Sequence, residues 1–475
     1  MGQSGTSEVE QPASGDGEGA GSETGQFDLF GMPLEHAPSP APVPLKVDAR
    51  GVKSQRAPAE ATPSTTDTHA VALTDTAQPE RQRQSRAKLR DAAALWQEED
   101  APNSATSAPT PSATPAPTDT PKKRRSREIL AAPPSPELLA LAAGLPPQIH
   151  LGTSTWSFPG WNGIVYGDEY SNSKLSREGL TAYGAHPLLK TVSIDRSFYQ
   201  ALSVTEYLRY AQQVPEHFRF IVKAPMTITD ATVRTERGEP VSLNPSFLNP
   251  QMALDEFVTP CLEGLGAKAG ALVFQLSPLP DQMLAQPAVF IERLAAFLMT
   301  LPKLPEDVCY AIEIRDASLL TPRFIRTLKA AGVRYCVGIH ARMPDPLRQA
   351  AALALLDGDP AGPLIVRWSL HGGFKYEQAK SKYEPFNQLV DQDPTTRAAL
   401  AELAARYALA GQPVVIAINN KAEGSAPLSC VELARAIIDA YARLAHEQEQ
   451  EDTIRTQPAE PGQQERDGEP GNEPG

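Results

Sequence analysis

Residues 148–445 carry eight short runs rich in β-branched side chains: IHLGTST (149–155), KTVSIDRS (190–197), FRFIVKA (218–224), GALVFQLS (270–277), CYAIEIRD (309–316), YCVGIH (335–340), PLIVRWSL (363–370) and PVVIAINN (413–420). Between them lie helical patterns, among them 176–186, 204–214, 287–301, 321–332, 393–411 and 428–445. Strands that alternate with helices require crossover connections, and these build a parallel sheet covered by helices. Eight such units in about 300 residues predict a closed (β/α)8 TIM barrel, an α/β fold. An open doubly wound sheet is the rival. It is disfavoured because no G-x-G-x-x-G follows the first run.

The flanks have a different composition. Residues 1–147 hold 20 of the 46 prolines but only three aromatics, Phe27, Phe30 and Trp96. Such a segment buries too little apolar surface to offset its ordering entropy, so it reads as a long disordered Pro/Ala/Ser/Thr-rich tail. Residues 446–475 read as a short acidic tail. The formal net charge of -13 argues at first against anionic partners, yet it is unevenly placed. The N-terminal tail holds 14 basic and 19 acidic groups and the C-terminal tail 2 and 9, leaving 28 and 29 in the barrel. Nearly all of the acidity therefore belongs to the tails. The start lacks a secretory signal pattern, and no stretch reaches the 18 or more apolar residues of a membrane span. A cytoplasmic protein without a membrane partner is the expectation. Cys261, Cys309, Cys336 and Cys430 lie far apart with no C-x-x-C pair, so neither a disulfide framework nor a zinc site is implied.

In a barrel of this kind the chemistry lies at the C-terminal ends of the strands. Those ends supply Trp156, Asp195, Lys223, Gln275, Glu313, Arg315, His340, Arg367, Asn419 and Asn420. Side chains alternate between the faces of a strand. Glu313 and Arg315 must therefore share a face, with Ile312 and Ile314 packing outward. Asn419 shares a face with Val415 and Ala417, and Asp195 with Ser193 and Ser197.

These segments resemble the domain of unknown function family 72, also called YecE-like, whose members are similar to TIM barrels. GTSTW (152–156), SIDRSFY (193–199), FRFIVKAP (218–225), LGAKAGALVFQLSP (265–278), AIEIRD (311–316) and INN (418–420) match its motifs in order. The resemblance covers nearly all of 148–445 and implies the barrel fold, but the family's reaction is not established. The chain departs from the family pattern at Asp195, where Asn is common, and at Asp230, where His is common. Asp316 and Leu319 or Leu320 stand in place of a His and a Trp, and the seventh run reads RWSLHGG.

The three cations Lys223, Arg315 and Arg367, facing Asp195 and Glu313, suit a small anionic substrate, phosphorylated or nucleotide-like. On this reading the protein is an enzyme. Glu313 acts as general acid or base, with Lys223 and Asp195 as catalytic partners. Arg315, Arg367, Gln275, Asn419, Asn420, Trp156 and His340 bind the substrate. A Schiff base on Lys223 needs a depressed lysine pKa, whereas nearby carboxylates are expected to raise it. No cofactor is predicted. A single divalent cation on Asp195 and Glu313 is the one metal arrangement the residues allow. Aromatics at the rim (Trp156, Trp161, Tyr166, Phe198, Tyr199) serve either stacking or core packing. The long 226–250 segment, with Arg234 and Arg237, reads as a lid. A second reading is a non-catalytic nucleic-acid or protein-binding module that uses the basic run Lys122, Lys123, Arg124, Arg125 and Arg127. A third is a scaffold in which Glu313 and Arg315 pair with each other.

Overall fold

The computed structural model describes residues 128–235, 239–358, 361–371 and 376–456. The basic run 122–127 and the proline-rich segment before it lie outside the described residues. Eight parallel strands close a barrel: β1 (Ile149–Thr153), β2 (Leu189–Ile194), β3 (Arg219–Lys223), β4 (Ala269–Gln275), β5 (Cys309–Glu313), β6 (Arg334–Ile339), β7 (Leu364–Trp368) and β8 (Val414–Ile418). Each strand pairs with its neighbours in sequence, and β1 closes on β8 from Ile149 opposite Val414 to Thr153 opposite Ile418. Every run assigned from its β-branched content forms one of these strands. No helix among the described residues is long and apolar enough to cross a membrane.

Alternation along the strands builds two cores. Outward residues such as Leu272, Phe274, Ile312 and Ile314 join the large cluster beneath the helices. Inward residues Ile221, Ala271, Val273, Ala311, Cys336, Ile365, Val415 and Ala417 form a smaller cluster inside the barrel. Several of these are alanines. Directly above this layer on the same faces stand polar residues, Lys223 after Ile221, Gln275 after Val273, Glu313 after Ala311 and Arg367 after Ile365.

The prolines inside the domain have a positional use. Helices Pro136–Gly144, Pro322–Ala330, Pro346–Leu356 and Pro394–Leu409 each begin with Pro directly after a capping Ser135, Thr321, Asp345 or Asp393. The cap side chain accepts from the N3 amide, and proline loses nothing at N1, where its missing N–H would have had no intrahelical partner. Helix Val204–Ala211 instead uses a full capping box of Ser203 and Glu206.

Two boundaries move. The ordered chain begins before 148. Ile129 is buried, Leu130 and Ala132 bond the segment ending in Gly167, and helix Pro136–Gly144 precedes β1. Proline content masked this, because five of the tail prolines lie in ordered chain, with Pro136 starting the helix and Pro147 in the turn before β1. At the other end the final helix runs Ala426–Thr456, eleven residues past the boundary at 445. Its polar extension is held by i,i+4 contacts, Arg443 with Glu447 at 3.0 Å and Gln450 with His446 at 3.2 Å.

The opening motif has a steric origin. The β1–β2 register shifts between Leu151 and Gly152, and a Cβ on Gly152 would lie 1.8 Å from the carbonyl oxygen of Thr191. Gly152→Ala must therefore push two barrel strands apart. We expect a stability loss of about 3 kcal/mol or more, seen as a Tm lower by roughly 6 °C or more in thermal denaturation. An unchanged Tm would contradict this packing.

Candidate active site

The inward face of each strand ends in a polar group, and the barrel brings these groups together. Arg367, at the end of β7, is the hub. Its Nη1 donates to Glu313 Oε2 at 2.6 Å and to Gln275 Oε1 at 2.9 Å, and its Nη2 donates to both Asp195 oxygens at 3.0 Å. Arg315 Nη2 meets Glu313 Oε1 at 2.7 Å and Gln275 Oε1 at 3.0 Å. Gln275 and Glu313 stand opposite each other in the β4–β5 register, so the amide carbonyl and the carboxylate face both guanidinium groups from neighbouring strands. Ser193 donates to Asp195 Oδ1 at 2.6 Å and fixes that carboxylate just past β2.

Lys223 enters the same cluster from β3 and is wholly buried. Its ammonium sits 3.7 Å from the centroid of the Phe198 ring, a cation–π placement. The Ser197 hydroxyl donates to the Lys223 carbonyl at 2.6 Å and to that of Ile194 at 2.8 Å, tying the ends of β3 and β2 together. Ser197 was expected to continue the Asp195 face. It does not, because β2 ends at Ile194 and residues Arg196–Tyr199 form a helical turn.

Burial and pairing act on these charges in opposite directions. Burial alone would raise the Glu313 pKa, but Arg315 and Arg367 outweigh it and hold the carboxyl below its usual range. Burial works against the Arg367 charge, yet Asp195 and Glu313 keep its pKa raised. Lys223 goes the other way. Burial pushes it down to about 7, Arg367 and Arg315 push with it, and Asp195 and Glu313 only partly restore it. The carboxylates raise this lysine as expected, but desolvation exceeds their attraction and the net shift is downward. His340, at the end of β6, is pushed down to about 3, first by burial and then by Arg315. It is a neutral imidazole at physiological pH.

Asp195, Lys223, Gln275, Glu313, Arg315 and Arg367 thus converge, with His340 in electrostatic reach of Arg315 and Glu313. The remaining candidates are engaged in packing and turns. Trp156 donates to the Leu175 carbonyl at 3.1 Å and packs edge-on against Tyr210. Asn420 accepts from Trp161 Nε1 at 3.3 Å and from the Ala426 amide at 2.9 Å, so it caps the final helix. Asn419 accepts from the Lys421 amide at 3.0 Å. Trp161, Tyr166 and Phe198 are buried, so among the rim aromatics core packing prevails, and only Tyr199 is exposed. The segment after β3 carries a two-stranded hairpin, Thr232–Arg234 with Pro240–Leu243. Arg234 meets Asp230 there at 2.9 Å, while Arg237 lies outside the described residues. The two carboxylates suggested for a divalent cation are bridged by the Arg367 guanidinium, which puts a positive charge of the protein's own between them.

Sequence reasoning missed Ser193 as the anchor of Asp195. It also missed the buried pair Arg397–Glu423 at 2.5 Å, which braces the loop after β8. Charged residues close to INN, within an otherwise apolar stretch, were the available signal for that pair.

The Lys223 shift has a signed consequence. Its folded pKa of about 7 lies below the ordinary 10.5, so between those values the unfolded chain holds a proton that the folded chain lacks. Folded stability therefore rises with pH across that window, by at most about 1.4 kcal/mol per unit, and the penalty is complete below about pH 7. Lys223→Met removes this dependence. In urea titrations at pH 7 and pH 9.5, wild type should gain stability relative to the variant as pH rises. Parallel behaviour would show that Lys223 keeps an ordinary pKa.

Comparisons with known proteins place the chain. A family model described as "Protein of unknown function DUF72" matches residues 150–454. Among solved structures, a DUF72 family protein from Thermotoga maritima MSB8 is 16% identical with a TM-score of 0.41, over 63% of this chain and 99% of that one. A DUF72 family protein from Enterococcus faecalis V583 is 16% identical with a TM-score of 0.40, over 61% and 95%. No curated protein matches the sequence.

Proposed function

The chain belongs to the DUF72 family, and for this member we propose an enzyme that binds a small anion at the C-terminal mouth of the barrel. One observation carries the reading: beside the ion pairs that Arg315 and Arg367 make with Glu313 and Asp195, Arg315 Nη1 is a buried donor with no hydrogen bond among the described residues. A buried donor without an acceptor costs roughly 1–3 kcal/mol, and a bound carboxylate or phosphate oxygen would recover that cost.

The same geometry divides the roles. Glu313, held ionised by two arginines, orients them and accepts protons only weakly, which makes it a poor general acid. Lys223, with its titration near neutrality, is the better proton carrier. Asp195 is the more exposed carboxylate, its side chain 16% accessible against 0% for Glu313, and it acts electrostatically on Lys223, which makes it the carboxylate suited to pass protons between that lysine and solvent.

An anion beside Lys223 favours its charged form, so binding should take up a proton. Calorimetric titration with inorganic phosphate in buffers of different ionisation enthalpy should show that uptake. The affinity should fall by up to about tenfold per pH unit above pH 7. Arg315→Met should weaken binding at least about tenfold, the scale of one lost charge-assisted hydrogen bond. Absence of phosphate binding, or binding unaltered by Arg315→Met, would overturn the reading.

A further inference from the structure

We propose that the side-chain amine of Lys223 condenses with a carbonyl carbon. The substrate class of the mouth would then be a small carbonyl compound with an anionic group beside the carbonyl, of the 2-oxo acid type. The inference rests on the anion-binding reading and adds to it a covalent step and a substrate chemistry.

The placement carries it. Lys223 projects from a barrel strand rather than a loop, two residues beyond the buried Ile221 on the same inward face. Its backbone carbonyl is clamped by Ser197 and its ammonium lies on the Phe198 ring. A lysine held this way loses little freedom on reaching a near-attack position. The aromatic and apolar wall disfavours full hydration of the ammonium, the environment in which lysine amines become nucleophiles. The groups facing the amine are Asp195, Glu313, Arg315 and Arg367. With the lysine titrating near 7, about half of the amine is neutral at neutral pH. The nearby buried Arg315 Nη1 and the neutral His340 remain to receive the carboxylate and the carbonyl oxygen.

The step balances without a redox partner. The Nζ lone pair attacks the carbonyl carbon, forming the N–C bond, while the C=O π pair moves to oxygen. One proton passes from nitrogen to that oxygen, giving a carbinolamine. A second proton, taken from solvent through Asp195, lets the oxygen leave as water while the nitrogen lone pair closes the C=N bond. The net change is amine, carbonyl and one proton to iminium and water.

The test uses the full chain with pyruvate, and separately glyoxylate, in the presence of sodium cyanoborohydride at pH 7. Intact-mass measurement and peptide mapping read the product. The expected result is one reduced adduct per chain, mapped to Lys223, suppressed by inorganic phosphate and absent in Lys223→Arg, which keeps the charge but offers no comparable nucleophile. Circular dichroism checks the fold of that variant, and the wild-type peptide map decides the matter if the variant does not fold. Adducts scattered over surface lysines, or none with either probe, while phosphate still binds, would overturn the covalent step and leave the anion site standing. Loss of phosphate binding itself would instead remove the underlying reading.

Discussion

The Arg367 guanidinium, wedged between Asp195 and Glu313 inside a closed barrel, is the interaction on which the rest depends. Taking an arginine and two carboxylates out of water costs several kcal/mol per ion, and only close, hydrogen-bonded geometry offsets it. That geometry needs strands β2, β4, β5 and β7 to present their last inward residues at one level. The parallel registers supply this, with Gln275 opposite Glu313 and Ala417 opposite Arg367. The layer below cooperates through size. Ala271, Ala311 and Ala417 keep the apolar layer beneath the polar cluster small. The ion cluster is thus both the upper plug of the core and the floor of the mouth.

Within that cluster one physical cause produces opposite outcomes. Burial penalises every charge, but Glu313 has two guanidinium partners within 2.7 Å and stays ionised, whereas for Lys223, set over the Phe198 ring, burial outweighs the pull of Asp195 and Glu313 and lowers its proton affinity. Titratable groups pushed apart in this way are the arrangement by which one cavity holds both a fixed charge and a mobile proton. The close Glu313–Arg315 pair is the contact expected of a scaffold. The feature a self-satisfied plug would lack is the buried Arg315 Nη1, which has no hydrogen bond among the described residues.

The strand pattern and the inward faces were legible because alternation is local: Glu313 with Arg315 and Val415 with Ala417 follow from spacing alone. Other features depend on contacts that spacing cannot carry. The sign of the Lys223 shift depends on how deeply the amine is buried against how near Asp195 lies, and both are tertiary distances. Asn420 at a strand end looked like a ligand-binding residue. Its side chain is instead engaged by Trp161, a partner 259 residues away in sequence, and by its own helix. Trp156 was drawn into the core in the same way, since an indole that reaches a buried carbonyl gains more by packing than by facing the rim.

Asp195 shows how one substitution redistributes these forces. Where the resembling family commonly carries Asn, this chain has a carboxylate that accepts two hydrogen bonds from Arg367 and one from Ser193. An amide at this position would accept through one oxygen, leave Arg367 with Glu313 as its sole carboxylate, and withdraw the strongest charge holding the Lys223 pKa up. With Asp present, the cluster keeps its net positive charge small and its lysine poised near neutrality instead of stripped of its proton. The carboxylate therefore lowers the positive charge of the cluster and keeps the lysine able both to hold and to release a proton.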